Sequence, residues 1–419
     1  MIGEVMSERT LHRAFVTGLG AVTPIGNDVP SFWEGLSSGR NGISRVTSFD
    51  PTDHIVQIAG EVKDFDPEQY LERRVARRTG RFAQFSAAAG LQALEDSGIV
   101  PDEYGADDIG VVIATSGDAL DMGPEWEKYL QKGSKGVDPF IITRMGQHMA
   151  SARLARQIGV RGPNTTINTA CASGTDALGH GLNMVRLGHA KAVLVGGAES
   201  MITPLALSSM GRMGALSKNN DDPEHASRPF DANRDGFILG EGAGVLMIES
   251  EVSARERGAN IYCELSGVGW SFDATDDTAP DANGQALAME RALRDGETDA
   301  DEIDYINAHG TSTQYNDRTE TEAIKIALGE AAYRTNISST KSMTGHLAAG
   351  AGGIEAVASV LALHNNIVPP TINYQDPDPL CDLRITPNQS LEAEISVVLS
   401  NSFGLGGQNA AALFRRIQD

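Results

Sequence analysis

Residues 163–174 read PNTTINTACASG, and this stretch decides the fold class. Thr165, Thr166 and Ile167 are β-branched or bear branched side chains that suit a strand. Small residues then surround Cys171. Beyond it, Leu178, Leu182 and Val185 recur at i, i+4 and i+7, the spacing of one helix face. A strand therefore turns into a helix at Cys171. The same alternation runs along the chain. β-rich runs at 14–16, 109–114, 192–195, 245–248 and 396–399 interleave with helical runs at 83–96, 175–187 and 353–364. This predicts an α/β architecture with buried sheets. The charged, Gly-containing stretch 251–260 lies between two β-like runs and divides the chain into halves 1–255 and 256–419. No short solenoid repeat is visible.

With 419 residues, 41% of them hydrophobic, the chain can build sizeable cores. A formal charge of −22 argues against general nucleic-acid binding and against an anionic membrane surface. Cys171, Cys263 and Cys381 are too few and too scattered for a disulfide framework, so a reducing compartment is expected. The opening MIGEVMSERTLHRAF has no apolar signal core, and no 18-residue apolar stretch occurs. The expectation is a soluble, cytoplasmic protein without membrane insertion.

At a helix start, unpaired N–H groups favour a thiolate and can hold an oxyanion, so Cys171 is expected to have a lowered pKa and to act as a nucleophile. Cys263, in IYCEL, and Cys381, in PDPLCDL, read as structural. Two further segments carry histidine beside glycine: NAHGTST at 307–313 and KSMTGH at 341–346. Each follows a β-like run, at 303–306 and 335–339, and precedes a helical pattern. Two imidazole N–H donors aimed at one carbonyl oxygen stabilise an enolate. The remaining histidines read as surface or satisfied core. DANRDG at 231–236 begins like a calcium loop, but its twelfth position is Gly242 where a glutamate is needed. No Cys/His cluster has zinc spacing.

TACASG, HGTSTQYND and KSMTGH, in that order, resemble the elongating β-ketoacyl-acyl carrier protein synthases. The resemblance covers nearly the whole chain, from VTGLGAVTPIGN (16–27) through SRPFDANRDGFILGEGAG (227–244) to NSFGLGGQNA (401–410). It implies the thiolase fold, with two similar α-β-α layered halves, and usually a homodimer. It implies fatty-acid elongation, with a type II polyketide ketosynthase as the alternative. Cys171 then carries the acyl chain, and His309 and His346 bind the malonyl thioester carbonyl. The N–H groups of Cys171 and Phe403 form the oxyanion hole, and Phe403 gates the nucleophile. Lys341, with Asp317 and Glu320, supports the histidines electrostatically. Thr311 and Thr313 hold the phosphopantetheine arm of acyl carrier protein. Asn307, Glu355 and Asn401 surround a structural sodium or potassium ion, and no cofactor is required. A thiolase would carry a second cysteine near NSFGLGGQN, which has none, and a non-catalytic partner would lack Cys171.

The chain departs from the family pattern at Leu405, Gln408, Thr275, Asp276 and Gly214. These positions bear on gating, substrate preference and docking. Carrier-protein docking is expected at Arg212, Lys218 and the cluster Arg73, Arg74, Arg77, Arg78 and Arg81.

Overall fold

The structure, a computed structural model, describes residues 11–117, 122–276 and 278–417. Ten strands make the main sheet. In the first half they are β1 (Ala14–Val22), β2 (Ile109–Ala114), β3 (Asn164–Ile167), β4 (Ala192–Glu199) and β5 (Gly242–Ser250). In the second half they are β6 (Cys263–Phe272), β7 (Tyr305–Asn307), β8 (Asn336–Ser338), β9 (Val397–Phe403) and β10 (Gln408–Arg415). They lie in the order β8-β7-β9-β10-β6-β1-β5-β4-β2-β3.

Counted from its own first strand, each half reads third, second, fourth, fifth, first. The directions match too. β2 runs parallel to β3 and β4, and β5 is antiparallel to β4 and β1. Likewise β7 runs parallel to β8 and β9, and β10 is antiparallel to β9 and β6. The halves join where Phe15 and Val16 of β1 meet Glu264 and Cys263 of β6.

Six helices cover this sheet: α1 (Arg81–Ser97), α2 (Met149–Ile158), α3 (Ser173–Arg186), α4 (Ala282–Asp295), α5 (Gln314–Leu328) and α6 (Ala351–Asn365). α1 and α2 pack outside the first half, and α4 and α5 outside the second. α3 and α6 lie between the halves and touch strands of both. The result is five layers with the three largest buried clusters between them. The central core includes Leu178, Leu182, Val195, Ile248, Val357, Val360 and Val398. α6 is buried along all of residues 351–363, as a helix sandwiched on both sides must be.

The two central helices meet through glycines. A Cβ on Gly174 would lie 2.5 Å from the Gly353 nitrogen. A Cβ on Gly352 would lie 2.4 Å from the Thr175 nitrogen. This contact brings the N-terminal ends of α3 and α6 together. Those ends follow Cys171 and His346.

The expected strands at 303–306 and 335–339 fall at Tyr305–Asn307 and Asn336–Ser338. The stretch 251–260, read as a boundary, opens with the helix Glu251–Glu256. At the sheet's two ends the edges differ. The outer edge of β8 bonds to residues 384–386, through Ile337 N to Arg384 O (3.0 Å) and Thr386 N to Ile337 O (2.8 Å). Among the described residues, no strand pairs with the outer edge of β3.

Candidate active site

β3 ends at Ile167, and α3 begins at Ser173. The five residues between them carry Cys171. Ala170 has φ 51°, a left-handed conformation that costs a non-glycine residue about 1–3 kcal/mol. The Ser173 hydroxyl braces this bend, donating to Ala170 O (2.5 Å) and accepting from Thr169 N (2.7 Å). The N–H groups of Ala172 and Ser173 bond to Thr169 O and Ala170 O. They are therefore not free to act on the thiol.

The Cys171 thiol differs from the sequence expectation. Burial pushes its pKa up, and neither a hydrogen bond from the Leu405 N–H nor the Lys341 charge reverses this. α3 starts two residues beyond Cys171, so desolvation outweighs the helix-terminus effect. Cys263 and Cys381 are buried, and burial raises Cys381 to about 11.

His309 follows β7. Glu320 on α5 fixes this turn: its two carboxylate oxygens accept the N–H groups of His309 (2.8 Å) and Gly310 (2.7 Å). Burial raises the Glu320 pKa to about 7. His346 is held by its backbone, donating to Ile238 O (2.7 Å) and accepting from Gly240 N (2.9 Å). The two imidazoles stand edge to face, 5.3 Å apart between centroids with an interplanar angle of 86°. Phe403 packs 5.6 Å from His309, and Phe237 packs 5.5 Å from His346. His309 Nδ1 and both ring nitrogens of His346 are buried without a hydrogen-bond partner among the described residues. Burial, reinforced by Lys341, holds both histidines well below 6.5, so both are neutral at physiological pH. A neutral imidazole carries one N–H and can donate it.

Lys341 is buried and pairs with Glu355 on α6. This corrects the expected grouping of Lys341 with Asp317 and Glu320. Asp317 instead pairs with Arg234 at 3.3 Å and accepts the Phe230 N–H at 2.8 Å. The Lys341 charge acts on Cys171, His309 and His346 alike. Burial raises Glu355 to about 7, with Lys341 opposing the shift.

Thr311 and Thr313 present their hydroxyls 3.0 Å apart, and Thr313 also caps α5. Glu355 Oε2 and Asn401 Oδ1 are buried acceptors without a partner among the described residues. Asn307 bonds instead to Ser400 Oγ and Glu355 O, each at 3.4 Å. In DANRDG, Asp231 accepts the N–H groups of Asn233, Gln375 and Asp376, so its carboxylate braces backbone.

Beside the cysteine loop is a cleft of about 410 Å³, lined by Thr169, Ala172, Asp176, Trp270 and Gln408 among others. Asp273 ties the neighbouring loops together, accepting from Asn409 Nδ2 (2.6 Å) and donating its own N–H to Gly407 O (2.9 Å). The arginine cluster divides. Arg81 bonds to the buried Glu241 at 2.7 and 2.9 Å, and Arg78 stacks 3.8 Å over Phe140. Arg73, Arg74 and Arg77 are exposed, as are Arg212 and Lys218.

Sequence reasoning missed Phe237, the Leu405 N–H and Arg234. The first and last lie in the 227–244 motif, but nothing in its spacing says what they touch.

Comparison with known proteins agrees with this geometry. Residues 12–254 match the family model for the N-terminal domain of beta-ketoacyl synthase, and residues 262–375 match that for its C-terminal domain. The 3-oxoacyl-[acyl-carrier-protein] synthase 2 of Synechocystis sp. is 49% identical over 97% of this chain and 98% of its own. The synthase of the same name from Vibrio harveyi is 43% identical over 99% and 100%. Among solved structures, the ishigamide ketosynthase/chain length factor superposes with a TM-score of 0.92 at 35% identity, covering 97% of this chain and all of that one. A ketosynthase complex with its type II polyketide acyl-carrier protein gives 0.89 at 34%, with the same coverage. The fold is therefore that of the thiolase-type ketosynthases, and the chain belongs to the beta-ketoacyl synthase family.

Proposed function

We propose that this chain is an elongating 3-oxoacyl-acyl carrier protein synthase of fatty-acid synthesis, working by decarboxylative condensation. One observation carries the reading. The segment 403–405 touches both chemistries at once, with Phe403 against the His309 ring and the Leu405 N–H on Cys171. A cysteine and two neutral histidines with unused ring nitrogens then share one site.

In this reading the Cys171 sulfur attacks the acyl thioester. The thiol proton passes to the departing pantetheine sulfur, and the acyl group stays on Cys171. A malonyl thioester enters next. His309 and His346 donate to its carbonyl oxygen, the bond to the carboxylate breaks, and carbon dioxide leaves an enolate. The enolate carbon attacks the acyl-Cys171 carbonyl. The N–H groups of Cys171 and Phe403 hold the resulting oxyanion until the cysteine sulfur leaves. Lys341 and Glu355 supply a paired charge beneath the histidines, and Asp317 and Glu320 brace the His309 loop. Thr311 and Thr313 hold the pantetheine arm. The unpartnered oxygens of Glu355 and Asn401 suit a sodium or potassium ion, with Asn307 beside them.

Acyl carrier protein is the proposed partner, docking through Arg73, Arg74 and Arg77. The chain is proposed to fold as halves 1–255 and 256–419 and to act as a homodimer in the cytoplasm. The open edge of β3 supports the homodimer, as do the exposed Trp126, Leu130 and Ile142. No described helix is long and apolar enough to cross a membrane.

The two half-reactions separate by mutation. His309→Ala and His346→Ala should each retain acyl loading of Cys171, read by intact-protein mass. Each should lose carbon dioxide release from malonyl carrier protein by about a hundredfold or more. Cys171→Gln should keep that release while accepting no acyl group. Wild-type decarboxylation by either histidine variant would remove that histidine from the mechanism.

A further inference from the structure

Arg234 lies in the DANRDG turn, and its side chain has no exposed surface. Its guanidinium reaches three segments. Toward the His309 loop, Nε donates to Thr313 O at 2.9 Å and Nη2 donates to Gln314 O at 3.1 Å. Toward its own turn, Nη1 donates to Asp231 O at 2.6 Å. Toward the segment after the last matched family position, Nη1 donates to Asp378 Oδ2 at 2.9 Å. The carboxylate of Asp317 lies 3.3 Å from Nε. Gln314 Nε2 returns a bond to Arg234 O at 2.5 Å.

Asp378 is itself fixed. It pairs with Arg318 on α5 at 3.0 Å and accepts the Leu380 N–H at 3.0 Å. The two cations and two carboxylates balance in number, which a buried cluster requires. The planar fork is the feature that matters. One guanidinium sets the angle between two successive carbonyls and a carboxylate, which a lysine ammonium cannot do.

We infer that Arg234, held by Asp378, is a positioning residue for the pantetheine arm. It fixes the carbonyls of Thr313 and Gln314, and so sets where the paired hydroxyls of Thr311 and Thr313 stand. This rests on the proposed reading of those threonines as arm-binding groups.

The test compares Thr313→Val, Arg234→Lys and Asp378→Asn, using malonyl-pantetheine as substrate and iodoacetamide as an armless probe of Cys171. Arg234→Lys should raise KM about tenfold and change kcat far less. Asp378→Asn keeps the shape of the side chain and should raise KM about threefold, which covers the case in which Arg234→Lys does not fold. Alkylation of Cys171 should proceed at the wild-type rate in both. Combining Arg234→Lys with Thr313→Val should raise KM no further than either alone, because both act through one contact. An unchanged KM in Thr313→Val would sink the arm-binding reading itself, and this inference with it. A raised KM in Thr313→Val, with unchanged KM in Asp378→Asn and in any folded Arg234→Lys, would overturn the positioning role alone. An additive double variant would overturn it too.

Discussion

At the residue scale, the site depends on charge states that oppose solution habit. Cys171 is a half-buried thiol whose pKa desolvation raises, and Lys341 is the charge that moderates it. Lys341→Met should therefore raise that pKa further. Glu355, already near 7, would take up a proton when left alone, and the loss of its charge offsets part of that rise, the Lys341 effect on Cys171 being the larger. Iodoacetamide alkylation of Cys171 at pH 8 should slow by about threefold or more, half a pKa unit being about threefold in thiolate fraction. An unchanged rate would remove Lys341 from the cysteine's environment. His309 and His346 shift the other way. Their folded pKa lies below the unfolded 6.5, so the unfolded chain binds more protons in acid. Their contribution to stability is present above 6.5 and lost progressively as pH falls from there to the folded pKa. The direction for Cys171 was not legible in the sequence. The strand-to-helix turn was visible, but the desolvation that outweighs the helix start, and the Glu355 and Glu199 charges that add to it, come from packing between segments distant in the chain.

At the element scale, local pattern served well and partnership did not. β-branched residues before Cys171 and the 178/182/185 stripe located β3 and α3 because those signals lie within one element. The partner of Lys341 was misassigned because the choice lies between helices. Glu320 and Asp317 share one face of α5, while Glu355 reaches in from α6. The glycine contact between α3 and α6 was hidden for the same reason, since the CASG run at 171–174 and the AGG run at 351–353 do not reveal what they press against. Gly174→Ala tests that contact. Its new methyl would meet the Gly353 nitrogen at 2.5 Å and the Gly352 backbone at 2.9 Å, where no flexible side chain can yield. The variant should lose about 1–3 kcal/mol of stability, or more, read by denaturant midpoint. Loss of condensation should accompany it. Wild-type stability would mean that the helices can part without cost.

At the scale of the whole molecule, the acidic background sets the exposed group Arg73, Arg74 and Arg77 apart. Reversing Arg74 and Arg77 to Glu should raise KM for carrier-protein substrates, leaving small pantetheine thioesters much less affected. Added salt should weaken wild-type binding of carrier protein. Equal effects on both substrate kinds would make the arginines an ordinary solvated face. The repeated strand order was legible only in three dimensions, because the two halves share a topology rather than a visible sequence pattern. It places Cys171 and His346 at corresponding stations, each after the third strand of its half and before a central helix. Those helices touch where neither has a side chain, so only peptide units separate the two loops. Peptide dimensions are the same in every sequence. While those glycines stand, the gap between Cys171 and His346 is thus gauged by bond lengths common to every peptide, whereas pocket walls are side chains and free to drift. Selection can re-line the channel for longer or shorter acyl chains without recalibrating the distance across which carbon meets carbon.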